Sequence, residues 1–174
     1  MNATATSAPD LATLAANLGL TLTATNGRGQ YDAGQSWTSI RFDCTLTRNG
    51  REVWSGPYHL GIGHLKNLAT IERANGNLPR NAAPTRAQLA ALTRYSAAER
   101  LQPSLADVLA SLILDGAAFF DGLTFEEWAP DLGHDTDSRK AEAMFRECDA
   151  TGRKLARAFK PDELEALRNA AAEH

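Results

Sequence analysis

Residues 37–60 restrict what this chain can fold into more than any other stretch. Across WTSIRFDCTLT, Ile40, Phe42, Cys44 and Leu46 alternate with Ser39, Arg41, Asp43, Thr45 and Thr47. A period of two puts the apolar set on one face of a strand and the polar set on the other. Asn49-Gly50 follows, the pair that best tolerates the two positive φ angles of a tight hairpin turn. Residues 52–60 then read as the returning strand, with Val53 and Trp54 and an edge or break at Gly56-Pro57. The sheet must therefore be antiparallel.

Before the hairpin, LTLTAT at 20–25 alternates and predicts a third strand, while the glycine-rich NGRGQYDAGQ at 26–35 reads as a loop. Residues 1–9 read as loose chain. Leu11, Leu14 and Leu18 space a short helix that Gly19 stops. After the hairpin, residues 64–76 carry Leu65, Leu68 and Ile71 at helical spacing, and NLPRNAAP is a loop. Thr85 is placed to cap a helix over RAQLAALTRY, and Ser96 with Glu99 has the spacing of a further capping box.

From residue 104 the pattern is helical. Ser104 and Asp107 mark a start, and Leu105, Val108, Leu109, Leu112 and Ile113 give a wide apolar face. Thr124 and Glu127 mark a second start, for a short helix bearing Phe125 and Trp128 and limited by Pro130. Asp137 or Ser138 opens the longest helix, to about Phe159, with Ala141, Met144, Phe145, Cys148, Leu155 and Phe159 inward. Pro161 sits in the first turn of a last helix. The expected fold is α+β: about three antiparallel strands followed by a helical C-terminal half. All 174 residues read as one domain, with a mainly β part at 1–64, a basic connection or insertion at 65–103 and a helical part at 104–174.

Charge is unevenly spread. The net value of −3 hides six basic and two acidic residues over 65–103, against eight basic and fifteen acidic over 104–174. No Lys or Arg lies between Arg100 and Arg139. That stretch carries Asp121, Glu126, Glu127 and Asp131, and Asp135 and Asp137 close it. Such a field repels nucleic acid and attracts a basic partner. No apolar run is long enough for a membrane helix. Two cysteines without CxxC spacing suit a reducing cytoplasm.

No catalytic signature stands out. His59, His64 and His134 could in principle gather a zinc ion for a small metal-dependent hydrolase, but their spacing does not demand it. GHDTDSRK at 133–140 lacks the DxDxDG pattern and the twelfth-position Glu of a calcium loop. It reads instead as a helix stop at Gly133 followed by oxygens that cap the next helix, with Arg139 or Lys140 free to pair with Asp115 or Glu127. Cys148, on an apolar face, reads as an inert thiol. A nucleic-acid binder would draw on Lys66, Arg73, Arg80, Arg86, Arg94 and Arg100, but Tyr95 is the lone aromatic among them, so direct binding is not expected. No cofactor is expected.

Leu105, Val108 and Leu109, then Phe125-Glu126-x-Trp128, then Gly133-x-Asp135-Thr136-Asp137-Ser138-Arg139-Lys140-Ala141, then Cys148 form a series. It resembles small accessory proteins encoded by phages and prophages, with His134 where their pattern has Tyr. The hairpin with YHLGIGH fits the same pattern. The resemblance implies a phage accessory protein acting in the bacterial cytoplasm, a class rich in inhibitors of host defence such as anti-CRISPR proteins. The expected partner is a bacterial protein or ribonucleoprotein complex, a CRISPR effector. The expected contact residues are Asp121, Glu126, Glu127, Asp131, Asp135 and Asp137.

Overall fold

The computed structural model describes residues 10–32, 37–61 and 83–174. Among them are three strands, β1 (Leu20–Asp32), β2 (Trp37–Arg48) and β3 (Arg51–Gly61). The six helices are α1 (Leu11–Asn17), α2 (Arg86–Ala98), α3 (Leu105–Phe120), α4 (Phe125–Asp131), α5 (Arg139–Ala156) and α6 (Pro161–Ala172). The strands form one sheet in the order β1-β2-β3. The chain is thus α+β, an antiparallel sheet followed by a helical C-terminal half. The sequence helix at 64–76 lies outside the described residues, as do His64, Lys66, Arg73 and Arg80.

Contacts group the described residues into two units. One takes those of 1–21, 46–54 and 105–174, the other those of 22–45 and 55–104. In the second unit the alternation in β2 holds: Ile40, Phe42 and Cys44 are buried. Arg41 and Asp43 pair at 2.8 Å on the other face. Ser39 departs from the wet set. It is buried, with its hydroxyl 3.3 Å from His59 Nδ1.

One expectation fails in this unit, at glycines: residues 26–32 are strand rather than loop. At Gly56-Pro57, expected as an edge or a break, β3 runs unbroken as an edge strand. Proline is tolerated because β3 is an edge, where a missing N–H costs no ladder bond. In β1 the glycines admit neighbours instead of bending the chain. A Cβ on Gly27 would lie 2.7 Å from the Phe42 ring, and one on Gly29 only 2.5 Å from the Leu89 carbonyl oxygen. Helix α2 therefore packs backbone to backbone against β1, and the Gly29 N–H donates to Thr93 Oγ1 at 2.9 Å.

Helix α2 starts as expected, with a capping box between Thr85 and Gln88. Ser96 does not open another helix. It is buried within α2, one turn after the buried Leu92. The helix ends in a Schellman motif: Leu101 N–H donates to Ser96 O and Arg100 N–H to Ala97 O. Arg100 occupies the left-handed position of that motif at φ +51°, where glycine is preferred. A left-handed L-residue costs about 1–2 kcal/mol, partly offset by the extra unfolded-chain freedom of glycine. Arg100→Gly is expected to raise stability by about 0.5–1 kcal/mol in urea denaturation. A loss of stability would mean that the Arg100 side chain holds contacts worth more than the strain.

In the first unit the hairpin turn has the expected form, with Asn49 at φ +51° and Gly50 at φ +80°. Helix α3 is the hub, packing on α1, α5 and α6 through buried Val108, Leu109 and Ile113. Helix α5 begins at a Ser138 cap and ends at Ala156, before Phe159. Ala141, Leu155 and the following Phe159 are buried, but Met144 and Cys148 are exposed, contrary to the expected inner face. Helix α6 starts with Pro161 in its first turn.

One long-range tie closes this unit. Arg48, at the end of β2, donates from both terminal nitrogens to the Glu163 carboxylate at 2.9 and 2.7 Å. It also donates to the Ala158 carbonyl and lies 5.2 Å from the centre of the Phe159 ring. The Arg48 hydrogen bonds, then the Lys160 N–H, hold the Glu163 carboxyl below its ordinary value. A carboxylate with a depressed folded pKa stabilises the fold above its unfolded value near 4.5, and that stability is lost as pH falls through the folded value. The melting temperature should therefore drop as pH falls below about 4.5, with a shallower drop in Glu163→Gln. Equal slopes in the two proteins would remove the pair from the account.

Candidate functional site

The acidic stretch forms a corner where α4 ends and α5 begins. Helix α4 is only seven residues long, and local bonds define it at both ends. Thr124 and Glu127 form a reciprocal capping box, with Thr124 N–H donating to Glu127 Oε2 at 3.0 Å. The same bonds hold the Glu127 carboxyl below its ordinary value. At the other end, His134 N–H donates to Ala129 O and Gly133 N–H to Pro130 O. Gly133, at φ +71°, takes the left-handed position of this Schellman motif. Pro130 lies in the last turn, so it precedes the helix end by one residue.

The turn after α4 is built from its own side chains. Asp135 Oδ1 accepts from the Asp137 N–H at 3.1 Å, and Ser138 Oγ accepts from the Ala141 N–H at 3.3 Å. Ser138, not Asp137, is the cap. Arg139 and Lys140 do not take the partners expected for them. Glu127 turns back on Thr124, and Asp115 accepts from the Ser111 hydroxyl at 2.9 Å.

Aromatic side chains brace the corner from beneath. Trp128 and Ala129 from α4 and Ala141 from α5 are buried together, with Phe119, Leu123, Phe125 and Phe145 packed against them. The Phe125, Trp128 and Phe145 rings lie 5.6–6.3 Å apart at tilted angles, the spacing such pairs favour. His134 stacks on Trp128 at 5.5 Å and 27°. The imidazole thereby joins the ring cluster.

All six expected contact residues are exposed, but not all are equally free. Glu127 serves the capping box and Asp135 the turn. Asp121 pairs with Arg168 of α6 at 2.8 Å. Glu126, Asp131 and Asp137 are the carboxylates these local bonds leave for a partner. Leu132, 59% exposed among them, was not singled out from sequence. The only sequence signal for it was its place between the last helical residue and Gly133, where a side chain leaves the helix face.

Of the three histidines weighed for a metal, His64 lies outside the described residues. His59 belongs to the second unit and His134 to the first. Burial, then the Arg41 charge, pushes the His59 imidazole below its ordinary pKa, which favours its neutral form. No group of three His, Cys, Asp or Glu side chains among the described residues could hold a metal ion. Desolvation, with the Glu147 charge, raises the Cys148 thiol above its ordinary value, the opposite of an activated nucleophile. Among the described residues, no helix is long and apolar enough to cross a membrane.

Comparison with protein families, with curated proteins and with solved structures finds no match. Fold and surface define an α+β protein with an acidic helical corner braced by aromatic rings.

Proposed function

We propose that this chain is a non-enzymatic interaction protein of phage origin that inhibits a bacterial defence machine, with a CRISPR effector complex as its target in the host cytoplasm. The α4–α5 corner docks on a basic path that otherwise holds nucleic acid, and inhibition is by occlusion. The observation that carries this reading is the corner itself. Glu126, Asp131 and Asp137 are exposed on it, as is Leu132, and the buried Trp128 cluster lies between α4 and α5. Binding hot spots combine an apolar anchor with such a rim, and complementary charge sets partner choice and encounter rate. Glu127 and Asp135 add to the same field while holding the corner in shape, and Asp121 is tied to Arg168.

The test is charge reversal of the carboxylates that local structure does not use. Glu126→Lys, Asp131→Lys and Asp137→Lys together should cost more than about 1 kcal/mol of binding for each central contact, at unchanged melting temperature. The assay is affinity for purified CRISPR effector complexes, with capture from a nuclease-treated host lysate to identify others. An unchanged affinity for a captured partner would remove the corner from the interface. Failure to capture any stoichiometric protein would remove the interaction reading.

A further inference from the structure

A second charged feature lies at the other end of α5, about 27 Å along a helix that rises 1.5 Å per residue. There the β2–β3 turn and the last turns of α5 line a groove of about 450 Å³. Four cations reach it: Arg48, Arg51, Lys154 and Arg157. Arg48 is committed to Glu163 and Ala158. Lys154 pairs with Glu52 at 3.3 Å, with both side chains about half exposed, a contact worth little and easily surrendered. Arg51 and Arg157 are exposed, and among the described residues neither pairs with a carboxylate.

Helix-end electrostatics accounts for part of this. Lys154 and Arg157 lie at the C-terminal end of α5, where cations suit the helix dipole. That explanation does not reach Arg51, which comes from the hairpin. Two guanidinium forks and an ammonium lining one groove from separate elements suit the several oxygens of a phosphate group. No lining residue is aromatic, so nothing there stacks on a base. The volume falls within the range of small-molecule sites.

We infer that this groove is a binding site for a phosphate-bearing ligand, held by Arg51, Arg157 and Lys154. The recognised chemistry is the phosphoryl group, carried either by a free small molecule or by a nucleic-acid backbone. The site stands independently of the acidic corner.

The full chain should be titrated calorimetrically at low ionic strength with inorganic pyrophosphate and, separately, with a short single-stranded oligonucleotide. Saturable binding is expected, weakened at least about tenfold in Arg51→Gln/Arg157→Gln. Both positions are exposed, so melting temperatures should match the parent. Arg157→Lys keeps the charge but not the fork and should weaken binding less than Arg157→Gln. Pyrophosphate binding that the double variant loses supports a free phosphorylated ligand. Oligonucleotide binding alone, lost in the same variant, supports a phosphodiester source. Binding of neither probe, or binding that the double variant retains, overturns the site. The Glu126/Asp131/Asp137 variant should bind pyrophosphate undiminished, so failure of the corner and failure of the groove are separable.

Discussion

Phe42→Ala is expected to destabilise the protein by about 3–5 kcal/mol, the range for removing a buried aromatic ring. Phe42 is 1% exposed and projects from β2 on the face shared with Ile40 and Cys44. Its ring lies so close to Gly27 that a Cβ there would overlap it. The site was therefore shaped from both sides, by a large ring on β2 and by a missing side chain on β1. A sheet backbone does not collapse to fill such a void, because its ladder bonds fix the strand spacing, so most of the cavity should persist. Equilibrium denaturation in urea measures the loss, and Phe42→Leu should recover part of it. A loss below about 1 kcal/mol in Phe42→Ala would show that the ring is not packed as described.

Leu109→Ala should cost about 2–5 kcal/mol, while Leu114→Ala on the same helix should stay within about 0.5 kcal/mol. Both residues lie on α3 and have the same chemistry. Leu109 is fully buried where α3 meets its neighbouring helices, and Leu114 is 51% exposed. Helix propensity changes equally in the two variants, so the difference isolates burial. Similar losses at both positions would mean that the exposed face of α3 is covered in solution, and concentration-dependent stability would identify self-association as the cause. The comparison therefore also tests whether α3 has an unrecognised partner.

Much of the candidate corner was legible because its signals are local. Thr124 and Glu127 are three residues apart, and so are Ser138 and Ala141. Each pair closes its hydrogen bond whatever the rest of the chain does. The stop at Gly133 needs only a residue that tolerates positive φ. What could not be read was which carboxylates remain for a partner. Asp121 is neutralised by Arg168, 47 residues away in sequence. No local pattern reports that distance.

The cysteine and methionine of α5 show the same limit. Met144 and Cys148 fit an apolar stripe, yet α5 buries only part of it, because the width of a buried face depends on which helices pack on it. The glycine-rich start at residue 26 was misread for a related reason. Glycine marks both turns and close backbone approaches, and only the position of α2 over β1 distinguishes them.

The sequence by itself determined the hairpin, the alternation of β2, the Asn49-Gly50 turn, most helix starts and the α+β class. Period and capping act over two to four residues, within reach of a linear reading. Tertiary structure alone decided the extension of β1 through its glycines, the tie from Arg48 to Glu163, the pairing of Asp121 and the groove that Arg51 and Arg157 both line. Each of these rests on partners far apart in the chain, whose encounter is set by how faces are buried rather than by neighbours in sequence.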